Sequence, residues 1–301
     1  MTGADGFVGS RLVPRLLGEG HEVTAAVREG VAAGAVDPRA RRVTLELGNA
    51  DSVTSVAGTK PDAVVHLAAV SSGGDARNDP GTAWEINAVG TARLAEALVP
   101  SNSLLLLTST AEVYGAGPAV PRVETDPLVP CSSYAASKLA AEIAALEVHR
   151  RTGLRVVVAR AFAHTGKGQD QRFVVPAFAA RLRLAKKVKA PAVRVGNLDP
   201  VREFMHVDDV VDAYLLLLRR GAPGRVYNVA SGNAVSLEKV FFLLCDIVGH
   251  RAIPESDPSL MRAADIPYLV GDATRLRTET GWAPRYTLEQ TLTEVVNAQA
   301  D

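Results

Sequence analysis

Short apolar runs that alternate with helical stretches are the feature of this sequence that most restricts its fold. The clearest run is Leu104-Leu-Leu-Leu107. A strand that is apolar throughout is buried on both faces, which occurs when helices cover both sides of a parallel sheet. The sequence therefore predicts a doubly wound parallel α/β sheet, with strands at residues 21–27, 63–67, 104–108 and 154–159 and helices at 11–18, 83–98 and 134–150.

Three glycines at the beginning of the first predicted helix follow the pattern G-x-x-G-x-x-G: Gly3, Gly6 and Gly9. Glycine lets the backbone turn tightly and approach a pyrophosphate, which rests on the N-terminus of the helix. The pattern predicts a dinucleotide-binding Rossmann domain, in which Phe7 and Val8 complete the loop around the cofactor.

This glycine pattern should follow a β-strand, and here only Met1 and Thr2 precede it. Losing about five buried apolar side chains from a central strand would forfeit roughly 10 kcal/mol. We expect a first strand that is short or missing at the N-terminus, and we interpret it as a start placed downstream of the natural one. The alternative is a chain that fills this position of the sheet in another way.

The alternation loosens beyond residue 162. Helices are predicted at 173–184, 210–219, 237–248 and 288–297, and a strand at 225–229 is expected to join the main sheet. We therefore expect residues 1–162 with 207–231 to form the Rossmann domain. Residues 163–206 with 232–301 are expected to form a smaller α/β substrate lobe.

The composition excludes several classes of protein. Hydrophobic residues make up 47% of the 301 residues and charged residues 22%, and 33 basic residues balance 33 acidic ones. This composition indicates a soluble protein that binds neither nucleic acid nor a membrane surface. Cys131 and Cys245 are isolated and lack metal-ligand spacing, so we expect a reducing cytoplasm and no metal site.

Tyr134 and Lys138 are four residues apart on a predicted helix, and Thr110 follows an apolar strand. Residues at positions i and i+4 share a helix face, so the Lys138 ammonium would lie close to the Tyr134 phenol. A nearby cation should lower the tyrosine pKa from about 10. Thr110 could hydrogen-bond the same substrate oxygen. Tyr-x-x-x-Lys alone often arises by chance, on a solvated helix face.

With these motifs in this order, the whole chain resembles the extended short-chain dehydrogenase/reductase family and its epimerase/dehydratase members, which modify nucleotide sugars. Further motifs carry the resemblance: residues 66–69 (HLAA), 87–91 (NAVGT), 109–115 (STAEVYG), 202–209 (REFMHVDD), 227–232 (YNVASG) and 281–284 (GWAP). Residues 262–267 and 270–277 are most similar to GDP-4-keto-6-deoxymannose reductases and GDP-mannose 4,6-dehydratases.

The resemblance implies a bound NADP or NAD. Arg28 ends the second strand of the pattern, where a guanidinium can pair with a 2′-phosphate, so NADP is favoured. Glu29 is adjacent and could take the acidic role that binds NAD. The resemblance further implies that Lys138 bonds the nicotinamide ribose. The remaining cofactor contacts that it implies are Glu46 and Leu47 at the adenine and Leu67, Ala68 and Ala69 along the cofactor.

The resemblance implies hydride transfer at C4 of a nucleotide sugar. Tyr134 would give its proton to the forming alkoxide, while Lys138 and Thr110 stabilise the charge. The leading interpretation is an NADP-dependent oxidoreductase that reduces a GDP-4-keto-6-deoxy-hexose. Glu112 stands where 4,6-dehydratases place a base, but Ala111 can donate no proton. A 4-epimerase or 4,6-dehydratase with tightly held NAD(P) is one alternative, and a non-catalytic NADP-binding regulatory protein is another.

The resemblance also implies which residues hold the substrate. Arg202 and Arg262 would clasp the diphosphate, while His164 and Asn87 are further candidate contacts. Three residues depart from the family's Arg-Pro-Phe-Asn-x-x-Gly-Pro-Gly-Gln segment and put the usual substrate in doubt: Ala161, Ala163 and Lys167. By analogy, the helices at 83–98 and 134–150 would form a homodimer interface.

Overall fold

The computed structural model describes residues 1–261 and 265–298. Its strands are β1 Thr24–Val27, β2 Arg41–Thr44, β3 Ala63–His66, β4 Leu104–Thr110, β5 Val156–Ala161, β6 His164–Thr165, β7 Ala192–Val195, β8 Val201–Arg202, β9 Met205–His206, β10 Val226–Val229, β11 Val235–Ser236 and β12 Ile253–Ser256. Its α-helices are α1 Gly9–Gly18, α2 Ala50–Ala57, α3 Gly73–Asn78, α4 Pro80–Trp84, α5 Gly90–Leu98, α6 Ser133–Thr152, α7 Val174–Val188, α8 Val207–Arg220, α9 Leu237–Val248, α10 Thr274–Thr280 and α11 Leu288–Ala298.

The main sheet is parallel, as the apolar runs predict. Strands β10, β5, β4 and β3 are hydrogen-bonded in that order, and β1 pairs with β2 alongside. All seven residues of β4 are buried, which places this strand at the centre of the molecule. The doubly wound α/β fold is confirmed, and the strand predicted at 225–229 does join the sheet as β10.

Thr2 alone occupies the position of the expected first strand. It forms parallel bridges to Ala26 of β1 and to His66 of β3, so it joins the two parts of the sheet. The Thr2 amide donates to the carbonyl oxygen of Val65 at 3.0 Å, and the amide of Ala26 donates to the Met1 carbonyl oxygen at 2.8 Å. The prediction of a short first strand is confirmed.

The helix predicted at 83–98 is divided into three parts. The short helix α4 is followed by a π-helical turn at Glu85–Val89 and then by α5. A π-turn places an extra residue in the helix and re-aims the side chains on it. Here the turn carries Asn87, which is 1% exposed.

Buried apolar residues form three clusters. Two of them lie on the main sheet and its helices, and the third joins α7, α9 and α11 with β7. Phe178 and Phe241 meet edge to face inside this third cluster, with ring centroids 5.5 Å apart. A separate core fits the expected substrate lobe, whose boundaries stay a prediction.

Three pairs of short strands lie outside the main sheet. Strand β6 pairs with β9, β7 with β12, and β8 with β11. The β6–β9 pair brings His164 beside Met205, next to the C-terminal end of β5. Within residues 1–261 and 265–298, no helix combines the length and apolar character needed to cross a membrane.

Candidate active site

Thr110 and Tyr134 meet at the carboxyl end of the central strand. Thr110 is the last residue of β4, and Tyr134 lies in the first turn of α6. The Ser132 hydroxyl caps α6 by accepting a hydrogen bond from the Ala135 amide at 3.1 Å, which fixes where the helix begins. The side chains of Thr110 and Tyr134 are hydrogen-bonded to each other. Strand end and helix start therefore position the two hydroxyls together.

The expectation that Lys138 lowers the pKa of Tyr134 is wrong for this structure. Burial raises the pKa of the phenol above its ordinary value, and the negative charge of Glu112 raises it further. The hydrogen bond with Thr110 opposes both effects and is outweighed. Tyr134 therefore keeps its proton at neutral pH, which suits a proton donor.

Lys138 is 4% exposed, one helical turn after Tyr134. Burial lowers the pKa of its ammonium to about 8, while the negative charge of Glu142 acts in the opposite direction. The neighbouring imidazole of His66 is buried, and burial with the positive charge of Lys138 lowers its pKa to about 3. His66 is therefore neutral at neutral pH, and Lys138 is charged below about pH 8.

A buried ion pair lies beneath this site, and the sequence reasoning missed it. Glu142 of α6 and Arg160 of β5 are 2% and 3% exposed, and the Arg160 Nη2 atom donates to Glu142 at 2.7 Å. Arg160 also donates to the Tyr114 hydroxyl at 3.0 Å and lies over its ring. The one sequence signal was the position of Glu142, four residues after Lys138.

The glycine loop is packed too tightly for larger residues. A Cβ atom added at Gly3, whose φ is +63°, would lie 2.8 Å from the Ala68 amide nitrogen. One added at Gly9 would lie 2.2 Å from the Gly3 carbonyl oxygen. Helix α1 begins here without a side-chain cap and without an acidic residue in its first turn. Its positive end therefore fits the pyrophosphate of a dinucleotide.

The predicted adenine side of the glycine loop is formed by the segments that follow β1 and β2. Arg28 follows β1, is exposed, and forms no ion pair with any residue that the structure describes. A Glu46 carboxylate oxygen accepts a hydrogen bond from the Glu29 amide at 2.9 Å, so the loops after β1 and β2 are joined. Leu47 is 4% exposed, and a Cβ atom added at Gly90 would lie 2.9 Å from its Cβ atom. Leu67, Ala68 and Ala69 follow β3 and are partly buried.

The stacking and hydrogen-bond partners of His164 and Asn87 argue against the predicted substrate contacts. The His164 ring is stacked on Phe7 of the glycine loop, with centroids 6.1 Å apart, and its Nδ1 is 2.9 Å from the Phe162 carbonyl oxygen. The Asn87 side-chain amide donates to the Val70 carbonyl oxygen at 3.1 Å and to the Ser137 hydroxyl at 2.9 Å. Both amide hydrogens of Asn87 are thus used, which favours a positioning role over the predicted contact.

Arg202 lies on β8, with its guanidinium held by Asp265 at 3.0 Å. The side chain of Arg202 is 14% exposed, and its Nη1 atom donates to the Val201 carbonyl oxygen at 2.8 Å. Arg262, its predicted partner, lies outside the described residues. The next residue, Glu203, is fully buried and accepts hydrogen bonds from the amides of Gly271 and Gly232. Glu203 therefore fixes the loops around β8.

The backbone amide of Lys167 donates a hydrogen bond that a proline could not make. Its amide donates to a Glu294 carboxylate oxygen of α11 at 3.1 Å. The same oxygen accepts from Arg11 of α1 at 3.1 Å, and Arg11 also donates to the Lys167 carbonyl oxygen at 2.9 Å. Glu294 thus ties the loop after β6 to the helix of the glycine loop.

The parallel sheet and the glycine loop at α1, with Tyr134 one helical turn before the buried Lys138, define a nucleotide-binding protein of the Rossmann class. A sequence profile of the NAD dependent epimerase/dehydratase family matches residues 1–230. The chain therefore belongs to this family.

Relatives with different named activities resemble the chain over nearly its full length. It is 36% identical to a GDP-6-deoxy-D-mannose reductase of Pseudomonas aeruginosa, covering 99% of this chain and 95% of that protein. It is 31% identical to a UDP-glucose 4-epimerase of Mycolicibacterium smegmatis, over 98% and 96% of the two chains. Among solved structures, RMD from Pseudomonas aeruginosa complexed with NADPH superposes with a TM-score of 0.83 at 34% identity, covering 98% and 96%.

Proposed function

We propose that this protein is an NADP-dependent oxidoreductase that acts at C4 of a nucleotide sugar and reduces a GDP-4-keto-6-deoxy-hexose. The observation that carries the proposal is the state of Tyr134. Its phenol is hydrogen-bonded to Thr110, and burial and Glu112 hold it in the protonated form. A reductase needs such a group, because the oxygen at C4 gains a proton as the carbonyl is reduced.

Each residue of the site has a separate task in this proposal. Thr110 holds the sugar oxygen at the phenol, and Tyr134 transfers its proton to that oxygen. The Lys138 ammonium stabilises the negative charge left on the phenol oxygen. When bound, the reduced nicotinamide supplies the hydride. The burial of Lys138 keeps water from weakening its charge, since a charge acts more strongly in a medium of low dielectric constant.

The proposed cofactor contacts lie at the loop that begins α1. The helix N-terminus at Gly9 would bind the pyrophosphate, and Arg28 would pair with the 2′-phosphate of NADP. An exposed arginine without an ion pair in the described residues supports this role. The Pseudomonas aeruginosa structure that resembles this chain is complexed with NADPH, in line with the proposal.

The nearest rival is an epimerase or dehydratase that holds and recycles its cofactor. The relative named UDP-glucose 4-epimerase supports it, as does Glu112, which lies close enough to raise the pKa of Tyr134. A dehydratase also needs an acid for the leaving hydroxyl, and Ala111 has none at the neighbouring position.

Cofactor stoichiometry tests the proposal. We expect GDP-4-keto-6-deoxymannose to oxidise one equivalent of NADPH for each product formed, measured by absorbance and mass spectrometry. Conversion of UDP-glucose to its C4 epimer without net cofactor use would instead establish an epimerase. Loss of water from GDP-mannose would establish a dehydratase. Binding of NADPH without turnover of any of these sugars would favour the non-catalytic regulatory protein.

We further propose a cytoplasmic homodimer. Trp84, Val89 and Ile143 lie on or beside α4 and α6, the region that the family resemblance assigns to the interface, and they are 44%, 39% and 58% exposed. Ile143→Glu should yield a monomer in light scattering after gel filtration. Leu184→Glu on α7 is the matched control, since Leu184 is 61% exposed on another face, and it should stay dimeric. A dimer that survives Ile143→Glu would contradict this interface.

A further inference from the structure

Glu142 continues the line of Tyr134 and Lys138 along α6. The three residues are separated by four positions each, so they form one stripe on the helix. Lys138 is 4% exposed and Glu142 2%, which places both charges inside the protein. Isolated buried charges are costly unless they are paired, so this arrangement needs partners that hold it.

The partners of Glu142 come from the two strands beneath the proposed proton donor. Arg160 donates through Nε at 3.0 Å and through Nη2 at 2.7 Å, and the Ser109 hydroxyl donates to the same carboxylate. Ser109 and Arg160 face each other in the β4–β5 register. Ser109 also directly precedes Thr110. Glu142 therefore fixes α6 to the strand end that carries the Tyr134 hydrogen-bond partner.

A second layer holds Arg160 in place. It donates to the Tyr114 hydroxyl at 3.0 Å, and that hydroxyl donates to the Asn228 side-chain oxygen at 2.7 Å. Asn228 faces Arg160 in the β5–β10 register. Three neighbouring strands thus contribute Ser109, Arg160 and Asn228 at one level of the sheet, and a network with every member hydrogen-bonded is rigid.

We propose that Glu142 is a positioning residue for proton transfer, because its carboxylate fixes α6 to Ser109 and Arg160 beside Thr110 and lies one helical turn from the buried Lys138 ammonium. This inference rests on the proposed function for the reaction, whereas the effect on Lys138 rests on the i,i+4 placement of two buried charges. Glu142 touches neither of the reacting hydroxyls. It acts through Lys138, one helical turn away.

The other charges near Lys138 and Tyr134 do not replace Glu142. His66 on β3 is neutral at neutral pH, and Arg160 on β5 is a cation that would oppose a second positive charge. Glu112, after β4, acts on Tyr134. The phenol of Tyr214 on α8 has its pKa raised by burial and by Tyr134, so it stays neutral. Glu142 is the negative charge that raises the pKa of Lys138.

The test is the pH profile of Glu142→Gln, which keeps the shape of the side chain and removes its charge. We expect the alkaline limb of kcat for the holoenzyme to move down by about one pH unit, with KM within about twofold. Glu147→Gln is the matched control on the same helix, because Glu147 is half exposed and pairs with Arg151 at the surface. Its profile should match that of the wild type.

A double variant separates positioning from simple ion pairing. Glu142→Gln leaves Arg160 without a charged partner, whereas Glu142→Gln with Arg160→Met removes both ions and should restore thermal stability. If Glu142 acts on Lys138 directly, the double variant keeps part of the shift of the alkaline limb, because the loss of Arg160 also removes an opposing positive charge. A limb that returns to the wild-type position when Arg160 is also removed would overturn the proposal.

A readout without substrate keeps this inference distinct from the proposed function. The chain has seven lysines, so the Lys138 signal can be assigned by NMR of ¹³C-labelled lysine with Lys138→Met as reference. We expect its titration midpoint to fall by about one pH unit in Glu142→Gln. If the titration midpoint falls but the protein reduces no 4-keto sugar, the proposed reaction is refuted and the positioning role is not. An unmoved midpoint in an active enzyme would refute the positioning role alone.

Discussion

The proposed reaction centre and the proposed substrate side of this protein are held together in different ways. Thr110, Tyr134 and Lys138 lie on the central strand and on the longest helix of the described chain, and the ion pair beneath them is less than 5% exposed. On the proposed substrate side, Arg202 lies on a two-residue strand, and its ion pair to Asp265 is partly exposed.

This difference indicates which parts of the chain can be substituted with less loss of activity. A buried network stabilises only one arrangement, because every member must keep its partner. Partly exposed ion pairs contribute less and can be exchanged more freely. Relatives of this chain are named as reductase and as epimerase, and they share its fold. We therefore expect changes at the reaction centre to cost far more activity than changes on the substrate side.

The largest effect should follow from Tyr134→Phe. Removing the proposed proton donor should lower kcat by about 10²- to 10⁴-fold. NADPH affinity, measured by fluorescence titration, should stay within about threefold, because the phenol is proposed to act on the sugar oxygen. Tyr286→Phe is a control for a tyrosine outside the site, and it should keep full activity. If the Tyr134→Phe protein is active, Tyr134 is not the proton donor, and the comparison of the two regions no longer holds.

A smaller effect is expected on the substrate side from Arg202→Met. Losing a charged, two-pronged contact to a diphosphate should raise KM by about 10- to 100-fold, with kcat changed much less. Arg202→Lys keeps the charge but not the planar fork, so it should recover only part of the affinity. Isothermal titration with GDP separates binding from chemistry. If both variants bind GDP like the wild type, Arg202 does not hold the diphosphate.

The sequence predicted the strand end and the helix that carry the proposed reaction centre better than it predicted the electrostatics there. The run Leu104–Leu107 at the start of β4 is apolar because the strand is buried on both faces, so the strand that ends at Thr110 could be located. The pKa of Tyr134 could not be predicted, because burial and Glu112 decide it and both depend on the tertiary structure. Glu142 was missed for the same reason, since its partner Arg160 lies 18 positions away.

Surface elements were missed for a different reason. Strand β2 has the sequence Arg-Arg-Val-Thr, and three of its four residues are exposed. An edge strand of this kind carries no apolar run, so nothing in the pattern distinguishes it from a loop. The break in the helix predicted at 83–98 was also invisible, because helical spacing of apolar residues continues through the π-turn.

A substitution at the proposed cofactor site should have an effect of intermediate size. Arg28→Ser should lower the preference for NADPH over NADH by about fivefold, since an exposed charge pair contributes on the order of 1 kcal/mol. The measurement is the ratio of kcat/KM for the two cofactors at low and high salt. Arg39→Ser is the matched control, because Arg39 is exposed and pairs with Asp37 away from the glycine loop. An unchanged ratio in Arg28→Ser would assign cofactor choice to Glu29 or Glu46 instead.

The smallest effect should come from Lys167, where the family's segment has proline. Lys167→Pro removes the amide that donates to Glu294, and this exposed bond contributes about 1 kcal/mol or less. Lys167→Ala keeps the amide and removes only the ammonium. We therefore expect Lys167→Pro to lower Tm by about 2 °C relative to Lys167→Ala, with both variants close to wild-type kcat. Equal losses in the two variants would mean that the ammonium, and not the backbone bond to α11, is what this substitution contributes. The substrate side would then depend on charge near the phosphates. It would differ from the hydrogen-bonded reaction centre in its electrostatics and not in its packing.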